Sequence, residues 1–229
     1  MRLPVLKALE DEALRKPWFC YGLALAVFMG GVTLAAVAYP GGFDWQYTVI
    51  SRLASRKHNA DGSLWFSIGL AVSMLLLWPV MDRICTRERG AWAATASVAL
   101  RAGLVFAVLV GLERAIFLHA SDLVAKSHEA LALLAFLSLY AGLIAVYVQR
   151  LTAGAARLWR VSPMLGPLLL VGVVNLALYA AQRDVGWVKP DWRELGIPLW
   201  QSFAFWQWLT VVVLWIAVAQ LLATTRHSR

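Results

Sequence analysis

The sequence predicts an all-α, polytopic membrane protein with six transmembrane helices in one bundle and both termini in the cytoplasm. Three observations predict it. Six apolar stretches, most of them about 20 residues long, run through the chain, and that length crosses a hydrocarbon core of roughly 30 Å. The 229 residues are 61% hydrophobic with a mean hydropathy of +0.67, well beyond a soluble domain. Basic residues also fall unequally between the two sides: 12 Lys and Arg on one, 7 on the other.

The stretches are Trp18–Pro40, Leu64–Met81, Ala91–Leu118, His128–Val148, Pro163–Ala181 and Pro198–Ala223. Too few polar residues remain, in loops too short, for a separate soluble domain, so residues 1–229 read as a single membrane domain. The first 17 residues carry mixed charge and no apolar core, so Trp18–Pro40 reads as a retained span rather than a cleaved signal. Pro40-Gly41-Gly42 stops that span.

The formal charge of +8 does not point to nucleic acid, because the basic residues sit between spans, where they anchor helices to headgroups. The side richer in Lys and Arg holds both termini, and it is assigned to the cytoplasm. Its loops, around Arg83–Arg89 and Arg150–Arg160, read as plain anchors. Cys20 and Cys85 fall near that side and show no C-x-x-C pairing, so two thiols are expected rather than a disulfide or a metal site.

The opposite loops are longer and chemically richer, so the working face is expected there. Residues 44–57 read as an interfacial helix. Asp44, Thr48, Ser51 and Ser55 recur at helical spacing as a polar stripe, with Trp45, Val49, Ile50 and Leu53 on the apolar face. The bland reading is a lid or anchor; the sharper one is a stripe lining a pocket, in which Ser51 or Thr48 is a nucleophile if a base lies alongside. His58 sits in a run that reads as a solvated turn.

The densest ionisable segment lies between the third and fourth spans: Glu113, Arg114, His119, Asp122, His128 and Glu129. Ser127 reads as the N-cap of the fourth span. His119, Asp122 and His128 can approach one another across this turn, and two imidazoles with a carboxylate are donors that zinc accepts. Their spacing matches no standard zinc motif. His128 is expected either as a satisfied polar cap or as a base or metal ligand facing a pocket. Arg101 lies inside the third span, where an arginine needs a carboxylate, carbonyls or water. It is expected as a structural tie or, with Asp44, Glu113, Arg114, Gln201 and Gln207, as part of a substrate-binding surface. Asn175, Gln182 and the amides of the sixth span read first as inter-helix glue, and the 12 tryptophans as an interfacial belt.

Several of these segments resemble a known group. Pro40, Tyr47 and Ile50-Ser51-Arg52-Leu53, followed by a span opening Leu64-Trp65-Phe66, are similar to the entry region of the bacterial DUF-998 membrane family, related to the DRAM/Sfk/Frag group. Asp122 in a short loop with His128 opening the next span resembles that family too. The likeness covers about residues 18–150. The resemblance implies six helices, a bacterial inner membrane and involvement with membrane lipids, and it brings no established activity.

Three functions follow as expectations. The first is an outward-facing polar pocket that binds or remodels membrane lipids. The second is a membrane hydrolase, with zinc on His119, Asp122 and His128, or with His128 as base for Ser51 or Thr48. The third is a haem or quinone redox protein.

Overall fold

The computed structural model describes residues 17–116, 122–152, 158–182 and 198–224, with side chains except at 114–116, 122–126, 158–162 and 182. The described residues form six long helices, each carrying a segment apolar and long enough to cross a membrane. This is the architecture of a multi-pass membrane protein. The helices are α1 (Pro17–Val37), α2 (Ser63–Cys85), α3 (Ala93–Ile116), α4 (Asp122–Thr152), α5 (Leu158–Gln182) and α6 (Phe203–Thr224). They run up and down in sequence, and α1 also touches α6. The start of α1 and the finish of α6 therefore share one end of the bundle, here the terminal end; the opposite end is the loop end.

Local chemistry sets the helix limits. Gly41 and Gly42 adopt positive φ values of 76° and 89°, which turn the chain away after α1. Ser202 caps α6: its Oγ accepts from Phe205 N at 3.3 Å, and a single 3-10 turn, Leu199–Gln201, precedes it. The sixth span thus begins at Phe203 rather than at Pro198. The fourth span runs from Ser127, close to the expected start, but the helix that carries it already includes Asp122, so Ser127 is inside α4 and is not its N-cap.

Close packing relies on absent side chains. A Cβ on Gly31 of α1 would lie 2.8 Å from Trp65 O and 2.9 Å from Gly69 Cα of α2, so the two backbones meet there. The α3–α4 hairpin keeps one antiparallel register along its length. Gly142 meets Leu100, Gly103 meets Leu139, and Glu113 meets His128.

The predicted interfacial helix over residues 44–57 is not formed. The segment is a series of turns with one 3-10 turn, Ile50–Arg52. Leu53 and Ala54 are buried beside Ala35 of α1 and Phe66 of α2. The predicted solvated turn is likewise an anchor. Asn59 is fully buried, and its Nδ2 donates to Ala35 O at 2.9 Å and Leu53 O at 3.2 Å, while Oδ1 accepts from Gly62 N at 3.1 Å. Ala35 O is one of the last carbonyls of α1, which have no helical partner. Asn59 supplies that partner, and this fixes the loop across the helix end.

The terminal end is more than a set of anchors. Arg150 of α4 is buried, and its Nε donates to Glu88 Oε1 at 2.8 Å. Its Nη1 donates to Leu221 O at 3.0 Å and to Thr224 Oγ1 of α6. Gln149 holds the same α2–α3 loop, accepting from Trp92 N at 3.1 Å and donating to Arg89 O at 2.8 Å.

Two outcomes test this packing. Gly31→Val is expected to cost about 1–3 kcal/mol by overpacking, whereas Gly30→Ala, with nothing within 4 Å of the added Cβ, is expected to leave stability unchanged. Arg150→Met is expected to cost about 3–5 kcal/mol by leaving Glu88 buried and unpaired, with much of the loss recovered in the Arg150→Met, Glu88→Leu double variant. Reversible unfolding of the detergent-solubilised protein measures all four.

Candidate functional site

Two features stand out at the loop end, and each arises from the fold just described. The first is a buried polar cluster between α3 and α4. Glu113 closes the apolar window of α3, and His128 stands opposite it in the hairpin register. Both residues are 7% exposed. His128 Nδ1 lies 3.4 Å from Glu113 Oε2, and Ser127 Oγ donates to Glu113 Oε1. When the imidazole is protonated this contact is an ion pair. Beside it, Tyr179 Oη of α5 donates to Glu129 Oε1 at 3.2 Å.

The order of groups decides what this cluster can do. Acyl transfer needs a hydroxyl touching the imidazole and a carboxylate behind the imidazole. Here the carboxylate stands between hydroxyl and imidazole. That arrangement gives Glu113 Oε1 a donor and leaves Oε2 facing the imidazole without a hydrogen bond, and it does not place the base on the Ser127 oxygen.

The second feature is an apolar groove of about 570 Å³ between the loop-end halves of α1 and α6. Val32 and Ala36 of α1 form one wall, Trp208 and Val212 of α6 the other, and Phe43 and Trp45 of the first loop form its upper rim. Val37 and Val212 are exposed on the bundle surface, so the groove opens sideways, toward the lipid of a spanning bundle. The loop is fixed over it by three ties. Ile50 N donates to Gln207 Oε1 at 3.2 Å, Ser202 Oγ donates to Gln46 O, and the Phe43 ring meets the edge of Trp208 with centroids 5.9 Å apart.

The predicted site residues therefore separate. His128 joins Glu113, a partner that spacing alone did not select. Asp122 opens α4, but its side chain lies outside the described residues, as do the side chain of Arg114 and all of His119. Ser51 and Thr48 belong to the loop that packs on α1, α2 and α6, whereas His128 packs between α3 and α4. The polar stripe through Asp44, Thr48 and Ser51 is lost with the helix that would have carried it. Gln207 is a loop tie, and Gln201 lies in the 3-10 turn before α6.

Arg101 leaves the predicted substrate surface altogether. Its Nη2 donates to Asp82 Oδ1 of α2 at 2.5 Å. Asp82 is three residues from the terminal-end finish of α2, and Arg101 is about 18 Å along α3 from Glu113. It is a tie between α2 and α3. Among the described residues, no three His, Cys, Asp or Glu side chains gather in a metal-holding group. Glu113 and His128 offer two donors of the kind zinc accepts, and two of the three predicted ligands lie outside the described side chains.

The groove residues were missed because each reads as ordinary span. The available signal was Phe43-Asp44-Trp45, two aromatics held just past the Gly41-Gly42 stop of α1. Comparison of the chain with protein-family models, curated proteins and solved structures finds no match.

The Glu113–His128 contact is expected to couple the two residues by about 1–3 kcal/mol. A double-mutant cycle with Glu113→Gln and His128→Gln, followed by unfolding in detergent, measures it. Additive losses would show that the contact holds nothing together.

Proposed function

We propose that this is a lipid-binding membrane protein that seats an acyl chain in the α1–α6 groove. The observation that carries the reading is the groove itself, apolar and roofed by the first loop. Between Phe205 and Val212 it follows about 10 Å of helix, roughly two thirds of a 15 Å hydrocarbon leaflet. A concave apolar site of several hundred cubic ångströms suits a ligand better than a flat lipid-facing surface does. In this reading the site is apolar, not the polar pocket first expected, and polar groups fix its roof rather than line it.

The orientation belongs to the same proposal. The bias of Lys and Arg toward the terminal end sets that end in the cytoplasm and the groove in the outer leaflet. A bacterial inner membrane and kinship with the DUF-998 family fit this arrangement, and neither adds chemistry to it.

Native mass spectrometry of protein released from membranes in mild detergent tests the reading. Retained phospholipid is expected at about one per chain. Val212→Trp fills the groove from an exposed position and is expected to lower retention about tenfold, the effect of losing one or two buried methylene groups. Retention unchanged in both Val212→Trp and Ala36→Trp would overturn it.

A further inference from the structure

Among the described residues, a carboxylate stands beside the rim of the groove. Asp44 stands between Phe43 and Trp45, the two rim residues, and is exposed. Its Oδ1 accepts from its own loop, from Gln46 N at 2.9 Å. That bond orients the carboxylate without neutralising it. No ion pair is made to Asp44 among the described residues. The loop's cations, Arg52, Arg56 and Lys57, come later in the chain. There Leu53 and Ala54 sink beside Ala35 and Phe66, in a cluster that also takes in Phe43 and Trp208, and the Ile50–Arg52 turn packs on α6.

Trp45 adds a second preference of the same sign. Trp45 is 49% exposed at the rim, and an indole face attracts cations, including quaternary ammonium groups. An acyl chain in the groove would carry its headgroup past this rim. A carboxylate and an indole then meet whatever charge the headgroup bears.

Resting on the lipid-binding reading above, we infer that the groove selects a zwitterionic glycerophospholipid, with its ammonium group against Asp44 and Trp45. An anionic headgroup such as phosphatidylglycerol brings no cation to this rim and places its phosphate charge near a carboxylate. Selection is therefore for a head that carries an ammonium group, with the groove supplying affinity common to all acyl chains.

The test uses the full chain in nanodiscs. Lipids brominated at mid-chain, with phosphatidylethanolamine, phosphatidylcholine or phosphatidylglycerol heads, are each diluted into unbrominated phosphatidylglycerol. Quenching of Trp45 is taken as the difference between the protein and its Trp45→Phe variant. Both zwitterionic lipids are expected to quench Trp45 at about threefold lower mole fraction than phosphatidylglycerol, the scale of one exposed charge pair. Asp44→Asn is expected to remove that difference, and Asp44→Lys to reverse it. Equal quenching by all three lipids in the unmodified protein would overturn the headgroup selection while leaving the groove reading intact. Preference retained in Asp44→Asn would overturn the role of the carboxylate. Absence of quenching by any brominated lipid would overturn the groove reading itself.

Discussion

Hydrocarbon supplies no hydrogen-bond partner, so a polar side chain inside a membrane bundle must find one on a neighbouring helix. This constraint explains most of the inter-helix chemistry here. Asn175 of α5 donates to Trp206 O at 2.9 Å and reaches Thr210 Oγ1 at 2.5 Å, joining α5 to α6. Tyr147 Oη donates to Gln220 Oε1 at 2.6 Å, joining α4 to α6, and Tyr21 Oη donates to Trp215 O at 2.9 Å, joining α1 to α6. Each contact contributes modestly, but each has few alternatives in lipid. Together they make α6 the helix on which the N-terminal and C-terminal parts of the chain converge.

The same constraint acts on the first loop. Residues 38 and 39 already serve Leu34 O and Ala36 O, and Ala35 O takes its donor from the loop. The observed turns deliver Asn59 to Ala35 O and sink Leu53 and Ala54 beside Phe66. Gln207 and Ser202 then hold the near half of the loop to α6. Phe43 and Trp45 are left overhanging the gap between α1 and α6. The groove is thus a consequence of how α1 is capped, rather than a separate construction.

Span number, span order and the membrane class were legible in the sequence because apolar length is a local property. The glue role of Asn175 was legible too, since an amide at that depth has little else to do. The helix limit at Phe203 was less so, because a 3-10 turn intervenes after Pro198, and Ser127, a good starting residue, lies inside α4. The stripe from Asp44 to Ser55 had helical period, but period cannot register the demand of a distant helix end. Arg101 was read as needing a carboxylate, carbonyls or water, and Asp82 was not singled out because that pairing depends on the α2–α3 register. Glu113 and His128 were each noticed, yet their meeting follows from the glycine-lined hairpin, in which Gly103 and Gly142 set the approach.

The two ends of the bundle differ in a way that bears on function. At the terminal end, Arg150 and Gln149 tie α4 to both the α2–α3 loop and the last turn of α6, and Glu88 neutralises the buried guanidinium. Separating α4 from α6 there would break the hydrogen bonds that the buried guanidinium makes to the last turn of α6, which is costly. Among the described residues, the loop end shows no such lock between α1 and α6. Its ties run through the first loop: one backbone N–H to Gln207, one serine hydroxyl and one aromatic edge contact. A ligand entering between α1 and α6 from the lipid side would displace solvent or hydrocarbon, not a structural ion pair. The cheaper place to open this bundle is therefore the place where it already carries a groove.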